Sequence, residues 1–215
     1  MKNTTHEITR SFVDSYIKEV KLAIKQLDKG KIALIVEAIN KAYRENKRIY
    51  ILGNGGSASI ASHIACDLGK GTLSRMYNQK EKRIRVISLT DNTALISAYA
   101  NDVGYDSIFI QQLQNLLEEN DVVILISGSG NSSNVLKAVK YARKVGAVTV
   151  GLTGFKTGGK LSKLVDIDLI IQSNHYGPIE DIHLMVGHIL TACMAQIKSK
   201  ETKNDSKNNS VPFKK

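Results

Sequence analysis

Residues 48–59 read RIYILGNGGSAS, which is an apolar run, a glycine-rich turn and the start of a helical pattern. A continuous apolar run is typical of a strand in a parallel sheet that is covered on both faces. Four further apolar runs lie at residues 83–89, 122–127, 147–152 and 167–172. Helical patterns lie between them at about 57–69, 92–118, 131–145 and 159–165, and a last one covers about 178–198. This alternation predicts an α/β fold with a doubly wound, five-stranded parallel sheet flanked by helices.

Two amphipathic helices are predicted before the first strand. In the first helix an apolar stripe recurs at every third or fourth position, at Ile8, Phe12, Tyr16, Val20, Ile24 and Leu27. The second helix covers about residues 31–46. We therefore expect residues 1–47 to form a helical hairpin used in oligomerisation, residues 48–197 to form the α/β domain and residues 198–215 to form a disordered basic tail.

The net charge of +10 on 215 residues is concentrated in two places. The tail at 198–215 carries six lysines against two acids, and residues 75–85 carry five cations against one acid. The rest of the chain is therefore close to neutral. Neither segment interleaves aromatic residues with its cations or matches a nucleic-acid motif, so we expect no nucleic-acid partner.

Composition also disfavours membrane and secreted classes. No apolar run approaches the ~18 residues of a membrane span, and the first ten residues lack the apolar core of a signal peptide. The two cysteines, Cys66 and Cys193, both lie in apolar helical patterns, where reduced packing residues are common. We expect a cytoplasmic protein.

The first turn that points to chemistry follows the first strand and contains Asn54, Gly55, Gly56 and Ser57. Glycines let a ligand approach the main chain, and the helix that follows offers free N–H groups to an anion. The turn also fits the loose Gly-x-Gly-x-x-Ala pattern of dinucleotide sites. In such sites an acid is expected about 20 residues later. Here Asp91 comes about 38 residues after Gly53, which disfavours a nicotinamide cofactor.

A second turn of this kind follows the third strand at residues 127–133, which read SGSGNSS. Its hydroxyls and backbone N–H groups, placed at the start of a helix, suit a phosphate monoester. The turn lacks the lysine of a nucleotide-hydrolysing loop. The alternative is an ordinary N-cap in a turn of small residues, although a cap needs only one hydroxyl.

Together, GNGGS at 53–57 and ISGSGNS at 126–132 resemble the SIS (sugar isomerase) domain, a flavodoxin-like fold. From the hairpin to about residue 197 the chain resembles the phosphoheptose isomerases, with LTDN at 89–92, AND at 100–102 and LTGxxxGG at 152–159. The resemblance implies a homotetramer that converts sedoheptulose 7-phosphate to D-glycero-D-manno-heptose 7-phosphate. It also implies which residues contact the sugar, namely Asn54, Gly55, Gly56, Ser57, Asn101, Asp102 and Glu180. The phosphate would bind at Ser127, Gly128, Ser129 and Ser132.

The resemblance also implies a Zn²⁺ site, because the family binds zinc with His and Glu from the first helix of the domain and Gln and His from the last. His63 and His188 match the two histidines, whereas Asp67 and Glu180 stand where the family has Glu and Gln. Asp67 or Glu180 would be the base and His188 the acid. His183 is a reserve ligand, a general acid or a core histidine.

Spacing limits how these four residues can share one ion. Glu180 and His188 are eight residues apart, which is ~12 Å along a helix. One ion therefore needs either a distorted first turn or a second subunit to complete its site. The alternatives are that His63 only pairs with Asp67, and that the chain is a non-catalytic SIS protein that binds a sugar phosphate or a partner, like the replication-initiator-associating member of the family.

Overall fold

The computed structural model describes residues 2–74, 79 and 81–208. Its helices and strands are, in chain order, α1 (Lys2–Lys25), α2 (Lys29–Arg44), β1 (Arg48–Gly53), α3 (Gly56–Cys66), β2 (Arg85–Ser88), α4 (Thr93–Asp102), α5 (Ile108–Leu116), β3 (Val122–Ser127), α6 (Ser133–Val145), β4 (Val148–Thr153), β5 (Ile167–Ile170) and α7 (Tyr176–Asn208). Shorter turns are the π-helical Asp67–Gly71 and the 3₁₀ turns Tyr105–Ser107 and Leu161–Lys163. Within these residues no helix is both long and apolar enough to cross a membrane.

The five strands form one parallel sheet in the order β2-β1-β3-β4-β5. The predicted doubly wound, flavodoxin-like sheet is therefore confirmed. The strand order reverses direction between β1 and β3, and a crevice opens there at the carboxyl ends of the strands. Gly53 of β1 pairs with Ile126 of β3, so the turns that follow these two strands begin side by side.

Alternating side chains of the strands feed two separate apolar cores. On one face, Ile51 of β1 belongs to a cluster with Ile35 of α2, Ile64 of α3 and Val186 of α7. On the other face, Leu52 belongs to a cluster with residues of α5 and α6. All six residues of β3 are buried, as expected for the central strand of a sheet covered on both sides.

Two of the helices predicted between the strands differ from the structure. The single helix expected at 92–118 is divided into α4 and α5 by the 3₁₀ turn, which begins after Gly104. Gly104 has φ = 112°, a backbone angle that other residues adopt only with strain. The helix expected at 159–165 is only the 3₁₀ turn Leu161–Lys163.

The last helix continues to Asn208, well beyond its predicted end at Lys198. Two long-range ion pairs hold the first residues of this extension. Lys198 Nζ lies 3.3 Å from Glu81 Oε1, and Arg44 Nη2 lies 2.5 Å from Glu201 Oε1. The predicted disordered tail is therefore helical as far as Asn208. Residues 209–215, and residues 75–78 and 80 of the basic segment, lie outside the described residues.

The N-terminal hairpin leaves most of the apolar stripe of α1 uncovered in the subunit. The Tyr16 hydroxyl donates to Asp181 Oδ2 of α7 over 2.7 Å, and the Ser173 hydroxyl donates to Glu19 over 2.6 Å. These contacts fix α1 beside α7. Phe12 nevertheless remains 66% exposed, and Ile8 is exposed to the same extent.

His183 attaches α7 to the sheet. Its side chain is fully buried, and its Nε2 lies 3.1 Å from the carbonyl oxygen of Thr153, the last residue of β4. Because a carbonyl only accepts, Nε2 carries the proton of a neutral ring. Burial lowers the pKa of His183 from 6.5 to about 4. His183 is therefore a neutral core histidine, which excludes it as the general acid or reserve metal ligand of this subunit.

This depressed pKa predicts a specific loss of stability in acid. Between pH 6.5 and pH 4 the unfolded chain takes up a proton on His183 that the folded chain does not, so folding weakens as the pH falls. The effect should approach about 3 kcal/mol at pH 4, at about 1.4 kcal/mol per pH unit. His183→Gln, which keeps an N–H donor, should remove this part of the pH dependence in urea unfolding. The exposed His6 provides the control variant His6→Gln. Equal pH slopes for His183→Gln and the unmodified protein would contradict this account.

Candidate active site

The last residue of β1, where the chain turns toward α3, must be glycine. A Cβ on Gly53 would lie 2.8 Å from Ser57 Cβ and 2.9 Å from the carbonyl oxygen of Ile126. Both distances are shorter than real Cβ contacts, so only glycine lets β1 turn into α3 this close to β3. Gly55 follows with φ = 55° and precedes the first residue of α3. The turn thereby exposes the N-terminal N–H groups of α3 at the crevice.

Hydrogen bonds between serine hydroxyls and backbone N–H groups shape the turn after β3. Ser127 Oγ accepts from the Gly130 N–H over 3.2 Å, and Ser129 Oγ accepts from the Asn131 N–H over 3.2 Å. Ser132 occupies the N-cap position of α6, but its side chain makes no capping hydrogen bond. Its hydroxyl is therefore not used as an ordinary helix cap. We call residues 127–132 the phosphate turn after the ligand predicted for it from the sequence.

The segment after β4 supports the phosphate turn from behind. The Gly154 N–H donates to the Gly128 carbonyl and the Leu161 N–H to the Gly130 carbonyl, both over 2.9 Å. A Cβ on Gly130 would lie 1.9 Å from the Gly158 carbonyl oxygen, and one on Gly159 would lie 2.3 Å from the Ser129 carbonyl oxygen. Gly130 of the phosphate turn and Gly159 of the LTGxxxGG motif are therefore needed because two backbones pack directly on each other there.

Three of the four predicted metal ligands come together where α3 meets α7. His63 Nε2 lies 3.1 Å from His188 Nε2 and 3.3 Å from Asp67 Oδ2, and His188 Nε2 lies 3.8 Å from the same oxygen. One ligand atom from each residue lies within 4.8 Å of the others. Two imidazoles and a carboxylate match the ligand types of catalytic zinc sites, which leave one position open. We call these three residues the His–Asp cluster.

Asp67 reaches the cluster from a change in helix type. It is the first residue of the π-helical turn that follows α3. Such turns insert a residue into a helix and often occur at functional sites. The alternative that His63 only pairs with Asp67, four residues later, leaves out His188, which belongs to the same group.

Glu180, the fourth predicted ligand, does not join the cluster among the described residues. Its carboxylate lies over the first residue of α3, since a Cβ on Gly56 would be 2.5 Å from Glu180 Oε2. Glu180 lies within the regular helix α7, so no distorted first turn brings it to His188. A carboxylate is favoured there by the dipole of α3. The structure thus places Glu180 over residues 53–57, which we call the sugar turn after the ligand predicted for it from the sequence.

Asn101 and Asp102 end α4, where the Asn101 amide donates to Asp102 Oδ1 over 2.7 Å. Both are exposed, and no hydrogen bond found among the described residues joins them to either turn. Two residues that sequence reasoning missed reach Asn54 instead, namely Tyr105 and Asn134. One feature of the sequence could have identified Asn134: it is the polar member of the buried stripe of α6, which otherwise contains Val135, Ala138, Val139 and Ala142.

Comparison with known proteins decides the family. The SIS domain family matches residues 14–154. The phosphoheptose isomerase of Helicobacter pylori strain P12 is 38% identical over 173 residues, which are 80% of this chain and 84% of that protein. The chain belongs to the phosphoheptose isomerase family of SIS-domain proteins.

Other members of the family agree. The phosphoheptose isomerase of Campylobacter jejuni subsp. jejuni serotype O:6 is 39% identical over 162 residues, covering 75% of this chain and 84% of that protein. The structure of a phosphoheptose isomerase from Francisella tularensis superposes with a TM-score of 0.80 at 27% identity, covering 89% of this chain and 98% of that one. The resemblance inferred from the two serine- and glycine-rich turns is thus confirmed.

The His–Asp cluster predicts how metal binding should respond to substitution. His63→Ala and His188→Ala should each lower the affinity for Zn²⁺ at least about 10-fold, since even outer partners of metal ligands contribute that much. Isothermal titration calorimetry with Zn²⁺ measures this. His175 is the matched control, because it pairs with Glu19 at 2.9 Å and does not belong to the group of possible metal ligands found among the described residues. A loss of affinity in His175→Ala equal to that in His63→Ala would contradict the assignment.

The same titration tests the position of Glu180. Because Glu180 lies apart from the cluster, Glu180→Gln should leave the Zn²⁺ affinity unchanged. The same should hold when Glu180→Gln is combined with Asp67→Glu, so that the double variant binds Zn²⁺ as Asp67→Glu alone does. If the two carboxylates shared one ion, the double variant would show coupling. Such coupling would mean that Glu180 of another copy completes the site.

Proposed function

We propose that the protein is an aldose–ketose isomerase that converts sedoheptulose 7-phosphate to D-glycero-D-manno-heptose 7-phosphate. Family membership supports the reaction. The observation that carries the proposal is that one subunit presents both a phosphate turn at the N-terminus of α6 and the His–Asp cluster between α3 and α7. A binding protein without turnover would need only the first of these.

The phosphate is assigned to Ser127, Gly128, Ser129 and Ser132, which lie at one turn after β3. Backbone N–H groups and hydroxyls at a helix N-terminus bind a phosphate without a cationic side chain. The sugar is assigned to the turn after β1 and to the two polar residues that end α4, namely Asn54, Gly55, Gly56, Ser57, Asn101 and Asp102. Glu180 contacts the same part of the sugar from above Gly56.

The isomerisation moves a proton between adjacent carbons through an enediol. A base takes a proton from C1 of the ketose while an acid protonates the oxygen on C2, and a proton then returns to C2 as one leaves the oxygen on C1. Asp67 or Glu180 is the base, and His188 is the acid. In the subunit Asp67 lies with His188, and Glu180 lies nearer the sugar turn.

His63, Asp67 and His188 would hold a divalent metal, and we assign it as Zn²⁺ on the types of the ligands. When bound, a divalent ion of this kind polarises carbonyl and hydroxyl oxygens and stabilises negative charge on them. Glu180 is assigned to the sugar and not to the ion in the same subunit. Its charge distinguishes this chain from relatives that carry Gln, according to the resemblance described above.

The exposed stripe of α1 supports a homotetramer. We expect static light scattering to give four times the 23.6 kDa of one chain at micromolar concentration. Phe12→Asp should shift the protein to smaller species, because it places a charge on the apolar stripe. Arg10→Ser, on the opposite face of the same helix, is the control. A monomeric mass for the unmodified protein would contradict the proposed assembly. We assign the protein to the cytoplasm, where its two free thiols, Cys66 and Cys193, would stay reduced.

Replacing both Ser129 and Ser132 with Ala should weaken binding of sedoheptulose 7-phosphate by about 1–3 kcal/mol, because two hydrogen bonds to a charged group are lost. Calorimetry measures the affinity, and NMR detection of aldose signals measures turnover. Ser199→Ala is the control, since Ser199 is an exposed hydroxyl near the C-terminal end of α7, outside the residues assigned to the phosphate. Unaltered affinity in the double variant would remove the phosphate assignment. Binding without aldose signals in the unmodified, zinc-loaded protein would support the non-catalytic alternative.

A further inference from the structure

The side-chain amides of Asn54 and Asn134 form a reciprocal pair that joins the two ligand-binding turns. Asn54 Nδ2 donates to Asn134 Oδ1, and Asn134 Nδ2 donates to Asn54 Oδ1, both over 2.9 Å. Asn54 belongs to the turn after β1, and Asn134 is the second residue of α6, directly after the phosphate turn. Asn134 is only 2% exposed, so its amide depends on these partners.

The backbone fixes which way round both amides lie. The Val135 N–H donates to Asn134 Oδ1 over 2.9 Å. A backbone N–H needs an acceptor, so the atom facing it must be oxygen and not the amide nitrogen. Asn134 therefore turns its Nδ2 toward Asn54, and Asn54 must in turn present its oxygen to that nitrogen. The orientation of Asn54 is thus set by α6.

Tyr105 adds a second donor to the same oxygen. Its hydroxyl donates to Asn54 Oδ1 over 3.1 Å. Tyr105 begins the 3₁₀ turn after α4, and the next residue, Asp106, is paired with Lys137 of α6 at 2.5 Å. The turn that carries Tyr105 is therefore anchored to the helix behind the phosphate turn, although the Tyr105 side chain itself is 58% exposed.

After these bonds, one N–H of the Asn54 side-chain amide donates to no group found among the described residues. A carbonyl oxygen accepts two hydrogen bonds, and Asn54 Oδ1 already accepts from Asn134 and Tyr105. The Nδ2 group has two N–H bonds, of which one is directed at Asn134. We propose that Tyr105 and Asn134 are positioning residues that restrict Asn54 to donating one N–H to an acceptor oxygen of the sugar phosphate. This inference rests on the proposed isomerase function.

A fixed donor at this position suits the reaction. Negative charge develops on the oxygens of C1 and C2 as the enediol forms, and a preoriented N–H stabilises that charge more than it stabilises the neutral substrate. If the Asn54 side-chain amide could rotate by about 180°, its carbonyl oxygen would face the same sugar oxygen and repel it. Losing the orientation should therefore lower kcat more than it raises KM.

Tyr105→Phe removes only the hydroxyl. We expect kcat/KM for sedoheptulose 7-phosphate to fall about 3- to 10-fold, the value of one hydrogen bond, mainly through kcat. Tyr99→Phe is the matched control, because the Tyr99 hydroxyl accepts from Asn115 over 3.0 Å away from both turns. Equal kinetics for Tyr105→Phe and the unmodified protein would overturn the proposal.

A second variant tests whether Tyr105 acts through Asn54. In an Asn54→Ala background, Tyr105→Phe should have no further effect on kcat/KM or on the calorimetric affinity for the sugar phosphate. If Tyr105→Phe costs the same factor with and without Asn54, Tyr105 contacts substrate directly or acts only on stability, and the positioning role is wrong.

The amide arrangement itself can be tested without turnover. In ¹⁵N-labelled protein the side-chain N–H₂ signals of Asn54, assigned by their absence in Asn54→Ala, should shift in Tyr105→Phe and stay unchanged in Tyr99→Phe. Adding sedoheptulose 7-phosphate should shift one of the two Asn54 protons much more than the other. Unchanged signals in Tyr105→Phe, or equal shifts of both protons, would overturn the inference. Correct signals in a protein that makes no aldose would instead contradict the proposed function alone.

Discussion

The parallel pairing of β1 with β3 is the constraint on which the whole site depends. Gly53 and Ile126 are partners in the register, so both strands end at the same edge of the sheet and both following helices begin there. The pairing can be this close only because Gly53 has no side chain to collide with the Ile126 carbonyl oxygen. Two helix N-termini then face one crevice. An anionic ligand is attracted there by backbone groups before any charged side chain takes part.

Helix α7 packs beside this crevice and makes three different contacts, through Ile179, His183 and His188. A Cβ on Gly154 would lie 2.4 Å from Ile179 Cδ1, so Ile179 packs directly on the segment that supports the phosphate turn. One turn later His183 holds the end of β4, and farther along His188 joins the cluster with α3. Because one helix makes all of these contacts, the position of the His–Asp cluster relative to the segment that supports the phosphate turn is set by α7. Buried, neutral His183 contributes to the site by holding α7, not by moving protons.

Much of the fold and part of the site could be predicted, because the deciding signals are local. An apolar run followed by glycines and a helical pattern reports a strand, a turn and a helix from residues that are neighbours in sequence. His63 and Asp67 are four residues apart, so their common face was predictable as well. The location of Glu180 was not, because it depends on how α7 lies across Gly56, which is 124 positions earlier in the chain. The ion pairs of Lys198 and Glu201, where α7 passes its predicted end, depend in the same way on partners from distant segments, Glu81 and Arg44.

The distribution of charge differs between the phosphate turn and the contact between α3 and α7. Residues 127–133 contain no lysine or arginine, so the turn offers a phosphate only dipoles. Asp67 and Glu180, which lie where α7 meets α3, are both carboxylates, and carboxylates would oppose a nearby phosphate dianion unless their charge were offset. The dipole of α3 favours Glu180 where it lies. His63 and His188 face each other through Nε2 atoms 3.1 Å apart, an arrangement in which one ring must donate and the other accept. That arrangement places a single proton between two good ligands beside Asp67. A cation in place of that proton would offset the charge of Asp67, and this is the physical reason why two imidazoles and a carboxylate at these distances suit a divalent ion.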